Sequence, residues 1–116
     1  MNKLMKLYTD IKQSKKLAEI LPIESADMWF ANGIVVARNS IEEPEQLNKV
    51  FPCWSLAALL NILRQVLSFT LDVTTNGNSL LIVSPVTSLE TVKCTSDDTL
   101  DVVFDMLIKL KEKGLI

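Results

Sequence analysis

The chain has 116 residues, 48% of them apolar and 22% charged, which fits one globular domain over residues 1–116. Twelve basic against fourteen acidic residues give a formal charge of −2, which excludes a broadly basic nucleic-acid binder. There is no histidine, so the commonest general base, proton shuttle and metal ligand are absent together.

The first residues carry lysines without an apolar run or a small-residue cleavage site behind them, so no secretory signal is expected. Thr9 or Asp10 can cap a first helix reaching about Leu21, and Asp10 with Gln13 has capping-box spacing. Ile11, Leu17, Ala18, Ile20 and Leu21 recur at helical spacing, and Pro22 stops the helix. Residues 27–38 are rich in strand formers, and the run Ile34, Val35, Val36, Ala37 after Gly33 predicts a strand apolar on both faces. Residues 39–49 form a polar, acidic connector.

Ser55 is a good N-cap for a second helix, with Trp54 placed to staple onto Leu59. Leu56, Leu59, Leu60 and Leu63 make its stripe, widened by Ile62 and Val66, which predicts a central helix with little solvent face. Next, Phe69, Leu71 and Val73 alternate with Ser68, Thr70, Asp72 and Thr74. Asn76-Gly77-Asn78 supplies a turn, and the apolar run from Leu80 returns the chain, so residues 68–84 read as a hairpin ended by Pro85. Residues 89–94 offer a third partner strand. A last helix opens at Ser96 or Asp97, buries Leu100, Val103, Phe104, Leu107, Ile108 and Lys111, and closes at Gly114. The sum is an α+β arrangement of about three helices packed on a small, mainly antiparallel sheet of three to five strands.

No run of about 18 apolar residues occurs, so no membrane span is expected. Cys53 and Cys94 lack CxxC spacing and read as free buried thiols, as in a cytoplasmic protein.

Few constellations carry chemistry. Asp97-Asp98-Thr99-Leu100-Asp101 matches the DDxxD pattern that holds magnesium–diphosphate in prenyl-transferring enzymes, where carboxylates one turn apart share the ions. No second acidic motif exists in this short chain, so the acids read as residues at a helix start and not as a metal–diphosphate site. Cys53 precedes a helix N-terminus, which lowers a thiol's pKa, but no histidine can serve it as a base. Three glycines write neither a phosphate loop nor a dinucleotide fingerprint. The expectation is a non-enzyme without cofactor or metal.

Binding has two candidates. Lys3, Lys6, Lys12, Lys15 and Lys16 against Asp10 give the first 16 residues a net +4. With only Tyr8 to stack and no arginine, they read better as a solvated face than as a nucleic-acid site. In residues 50–89 only Arg64 and Asp72 are charged, two of the 26 charges in forty residues. Exposed sheet normally carries Lys and Glu, yet the polar positions here are Ser68, Thr70 and Thr74. They form the candidate interaction face, covered either by another chain or a second copy, or in cis by the connector and the first helix.

Phe51-Pro-Cys-Trp-Ser-Leu-Ala-Ala-Leu-Leu60, the closing Phe104-Asp-Met-Leu-Ile-Lys-Leu-Lys-Glu-Lys-Gly-Leu-Ile116 and the opening Lys6-Leu-Tyr-Thr-Asp-Ile-Lys-Gln-Ser-Lys-Lys-Leu17 carry one further signal. Through them the chain resembles a group of short, uncharacterised proteins of gut Bacteroides-type bacteria and their prophages and mobile elements. The resemblance implies a bacterial cytoplasmic or phage-encoded accessory protein; the expectation of an unknown protein partner or self-association comes from the charge-poor residues 50–89. The resemblance transfers no activity and no functional residue.

Overall fold

In a computed structural model of the chain, residues 6–31, 33–38, 50–73, 79–85 and 91–116 are described. They group into two compact units, Tyr8–Ala58 and Met1–Leu7 with Leu59–Ile116. Among the described residues, three α-helices and antiparallel strands make the class α+β, and six strands are divided between two sheets of three where a single sheet was expected.

In the first unit, Asp10 opens α1 (Ile11–Ile20) with the capping box the spacing predicts. Gln13 N donates to Asp10 Oδ1 at 2.8 Å, and Asp10 N donates to Gln13 Oε1 at 3.1 Å, so two otherwise orphaned N–H groups are satisfied together. The buried side of α1 is Gln13, Ser14 and Leu17, while Ile11 and Ala18 of the predicted stripe are exposed. A 3-10 turn (Ile23–Ser25) follows and leads into β1 (Met28–Ala31).

Residues 27–38 hold a hairpin where one strand was expected. Strand β1 pairs antiparallel with β2 (Ile34–Ala37), Ala31 facing Ile34, and Gly33 at φ 81° occupies the left-handed region that turn requires. β3 (Val50–Cys53) pairs with the other side of β1, giving the order β2-β1-β3. Pro52 is tolerated there because β3 is an edge, where one N–H of each pair has no ladder partner to lose. β2 is likewise an edge and is not buried on both faces, since Ile34 is 64% exposed. Trp29, Phe30, Cys53 and Trp54 are buried, and both indole N–H groups are used. Trp29 Nε1 donates to the Arg38 carbonyl and Trp54 Nε1 to Ser25 Oγ.

Ser55 caps α2 (Leu56–Val66) as expected, its Oγ accepting from Ala58 N at 3.1 Å. The helix does have a solvent face. Ala57, Asn61, Arg64 and Gln65 are exposed at helical spacing, while Leu59 and Leu63 are fully buried.

In the second unit, β4 (Leu67–Val73) and β5 (Ser79–Pro85) form the predicted hairpin, in register from Leu67 opposite Pro85 to Val73 opposite Ser79. The Asn76-Gly77-Asn78 turn lies outside the described residues. β6 (Val92–Ser96) pairs with β5 and completes the order β4-β5-β6. Val92 and Cys94 are buried, Lys93 and Thr95 exposed, and α3 (Thr99–Glu112) packs on β5 and β6.

The N-cap of α3 is Asp98, two residues later than Ser96 and one later than Asp97. The buried stripe also differs from the expected one, with Val102, Met106 and Leu110 buried beside the expected Leu100, Val103 and Leu107, and Lys111 exposed. Its end is a Schellman motif. Gly114 stands at φ 72°, its N–H donates to the Lys111 carbonyl, and Leu115 N–H reaches the Leu110 carbonyl at 2.9 Å.

Candidate functional site

The acidic motif is a helix cap. Asp98, 3% exposed, accepts through Oδ1 from Leu100 N at 2.9 Å and Asp101 N at 3.2 Å. Its Oδ2 accepts from the backbone N of Lys6 at 3.0 Å, tying a segment 92 residues away to the start of α3. Asp101 takes the Lys6 ammonium at 2.9 Å. Two of the three carboxylates of the DDxxD spacing, Asp98 and Asp101, are thus engaged by donors of the chain itself. Among the described residues, no group of three or more carboxylates, thiols or imidazoles is placed to hold a metal ion.

The same ion pair bears on the basic N-terminus. Lys6 is held by Asp101, Lys16 lies 3.8 Å from Glu19 one turn on, and Lys15 sits over the Phe51 ring at 5.8 Å. Lys3 lies outside the described residues.

Cys53 is fully buried at the end of β3, in a polar cluster that the sequence did not announce. Thr9 Oγ1 is 2.7 Å from Ser14 Oγ and accepts from Trp54 N at 3.1 Å, while Cys53 Sγ donates to the Thr9 carbonyl at 3.4 Å. Burial pushes the Cys53 thiol up, and the hydrogen bonds from Thr9 and Ser14 only partly oppose this. The protonated thiol is the unreactive form, so this environment suits a packed hydrogen-bonding group and not a nucleophile. Cys94 is likewise pushed up by burial. A second unannounced contact joins Asp27 to the α2 cap. Ser55 N donates to Asp27 Oδ1 at 2.9 Å, and Ser55 Oγ donates to Asp27 Oδ2, so one hydroxyl both caps the helix and holds the strand entry.

The candidate interaction face falls on β4. Ser68 stands opposite Ser84 and Thr70 opposite Ile82, two positions apart and hence on one side of the sheet. The Thr70–Ile82 rung runs on to Lys93 of β6, whose side is exposed. Buried Leu81 and Cys94 mark the opposite side, where Lys109 of α3 reaches the Cys94 thiol. Positions 68 and 70 therefore lie on the sheet side away from α3. Thr74 lies outside the described residues.

The two edges of this sheet differ. β6 carries Lys93, and the Lys93 carbonyl is taken by the Lys109 ammonium at 3.0 Å. β4 is seven residues long, is hydrogen-bonded only to β5 among the described strands, and has Asp72 as its single charge. Natural sheet edges are guarded by lysines, prolines or brevity, and β4 has none of these. The alternation that marked β4 as a strand could not show that it is an edge, because strand order is not a local property.

Among the described residues no helix is long and apolar enough to cross a membrane. Comparisons with protein-family models, with curated proteins and with solved structures gave no match.

Proposed function

We propose that this protein works by binding another polypeptide chain, and not by catalysis, with the outer edge of β4 as the binding element. The observation that carries this reading is β4, seven residues with a single charge and, among the described strands, a partner on one side only. An extended segment added there gains main-chain hydrogen bonds along its whole length, and flanking side chains supply selectivity. The engagement of Asp98 and Asp101 by Lys6, and of Cys53 in a buried polar cluster, supports the non-catalytic half of the reading.

The test is Thr70→Lys, alone and together with Thr74→Lys, compared with the unaltered chain by light scattering and by affinity capture. A lysine at the middle of an edge strand opposes strand addition. The expected result is a loss of mass or of a captured chain with the melting temperature preserved. The same mass and the same captured set in variant and parent would refute the proposal.

A further inference from the structure

We infer that residues 6–9 form a strap with an ionic latch, Lys6 on Asp98 and Asp101, and that release of this latch is the first step by which the buried Cys53 thiol is uncovered. The inference goes beyond the binding role proposed above and stands without it.

The strap is held at its two ends and not in its middle. At one end Lys6 N donates to Asp98 Oδ2 at 3.0 Å, and Lys6 Nζ donates to Asp101 Oδ1 at 2.9 Å. At the other, Tyr8 bridges antiparallel to Ser55, and Thr9 N donates to the Trp54 carbonyl at 2.8 Å. Leu7 between them is 68% exposed, so its side chain adds little packing to hold the segment down. Thr9 is the inner end. It is fully buried, its Oγ1 accepts from Trp54 N at 3.1 Å, and its carbonyl and hydroxyl oxygens lie 3.4 and 3.6 Å from Cys53 Sγ.

The two ends differ in kind, and the difference says which yields first. The Thr9 bonds are buried, and breaking them alone strands polar groups away from water. The side chains of Lys6 and Asp101 are 38% and 24% exposed, so water and dissolved ions can replace that pair. Local opening starts where the bonds are open to solvent. Only Leu7 and Tyr8 separate the anchors. From Lys6 to Thr9 the extended chain spans about 10 Å, too short for the inner anchor to open freely while the outer one holds. Lys6 therefore acts on Cys53 through Thr9, without touching it.

Iodoacetamide labelling of the native protein, with the two cysteines resolved by mass spectrometry, tests this. Cys94, buried on β6, reports the opening of its own sheet and serves as the reference. Lys6→Met is expected to raise the Cys53 rate about threefold relative to Cys94, the worth of a partly exposed ion pair. Asp98→Asn keeps one acceptor oxygen for the helix but denies one to Lys6 N, and the same ratio should rise about tenfold or more. Sodium chloride at about 0.5 M should raise the ratio in the unaltered chain and leave Lys6→Met unmoved. The salt series needs no variant that might misfold, since its first arm is the unaltered protein. Both thiols rising in equal proportion would mean that Lys6 gives only general stability, and a Cys53 rate indifferent to Lys6→Met and to salt would mean that Thr9 holds without the latch. Either result overturns the inference.

Discussion

Removing the Asp98 carboxylate separates the two readings of the acidic motif, because they predict opposite signs. As the cap of α3, Asp98 accepts three backbone N–H groups, from Leu100, Asp101 and Lys6, while almost fully buried. Replacing an N-cap carboxylate by alanine costs about 1 kcal/mol. The bond from Lys6 N is charge-assisted and part-buried, and its loss adds roughly 1.5–3 kcal/mol. Asp98→Ala should therefore destabilise the fold by about 3 kcal/mol, a fall of about 10 °C in melting temperature for a chain near this size. Asp98→Asn keeps one acceptor oxygen for the helix and should lose about half as much. Asp101→Ala removes a partly exposed ion pair and should cost less than about 1 kcal/mol. If the acids were instead a metal site awaiting its ion, they would repel one another, and Asp98→Ala would stabilise the metal-free protein. Thermal melts followed by circular dichroism decide the matter. An Asp98→Ala variant melting at or above the parent, or a parent whose melting temperature climbs with added Mg²⁺, would refute the capping account.

Three further expectations follow from the same contacts. Thr9→Val keeps the shape of a buried residue but leaves Trp54 N and Ser14 Oγ short of a partner, so urea titration should show a loss of about 2–4 kcal/mol; a loss below about 0.5 kcal/mol would mean the cluster relaxes freely. Iodoacetamide should label Cys53 in the native protein at least about a hundredfold more slowly than in denaturant, since access requires opening of the unit, and equal rates would show an accessible thiol. Asp105 is held above the ordinary carboxylate range, first by partial burial and then by the neighbouring Asp101. A carboxylate raised on folding destabilises the native state above its folded pKa, and the penalty fades as pH falls through it. Asp105→Asn should raise the neutral-pH melting temperature by about 1–2 °C, discounted because the group is exposed, and the gain should vanish in acid; a gain that persists in acid would argue for another cause.

What the sequence made legible was whatever a few neighbouring residues settle among themselves. The Asp10–Gln13 capping box, the Ser55 cap, the β4–β5 hairpin and the Gly114 helix end all rest on contacts within a few residues or on strict alternation. The cap of α3 stands at Asp98 and not at the expected Ser96 or Asp97, and Asp98 is also bonded by Lys6, a residue 92 positions away that no local pattern connects to it. β3 was missed for the same kind of reason. Val50–Cys53 is short and holds a proline, and it is a strand because β1 offers Met28–Ala31 beside it. The Thr9–Ser14–Cys53 cluster and the Asp27–Ser55 bond join residues up to 44 positions apart, with no period to betray them.

The charge-poor stretch over residues 50–89 resolves into parts of different meaning. β3 is charge-free because Pro52 and Cys53 are buried. α2 does face solvent, but it does so with Ala57, Asn61 and Gln65 around Arg64, so its low charge needs no partner to explain it. What is left is the hairpin, and within it the strand that lies at the edge. A three-stranded sheet has two edges to manage, and this one places Lys93 and Lys109 at β6 and neither Lys nor Arg at β4. Among the described strands β4 has a neighbour on one side only and carries no lysine, whereas β6 at the other edge does, so the paucity of charge is not general to this sheet. The two coverings expected from sequence alone, in trans and in cis, then make different demands on one residue. A lysine at Thr70 disrupts a strand added from another molecule, and it changes mass or capture only if such a strand is there.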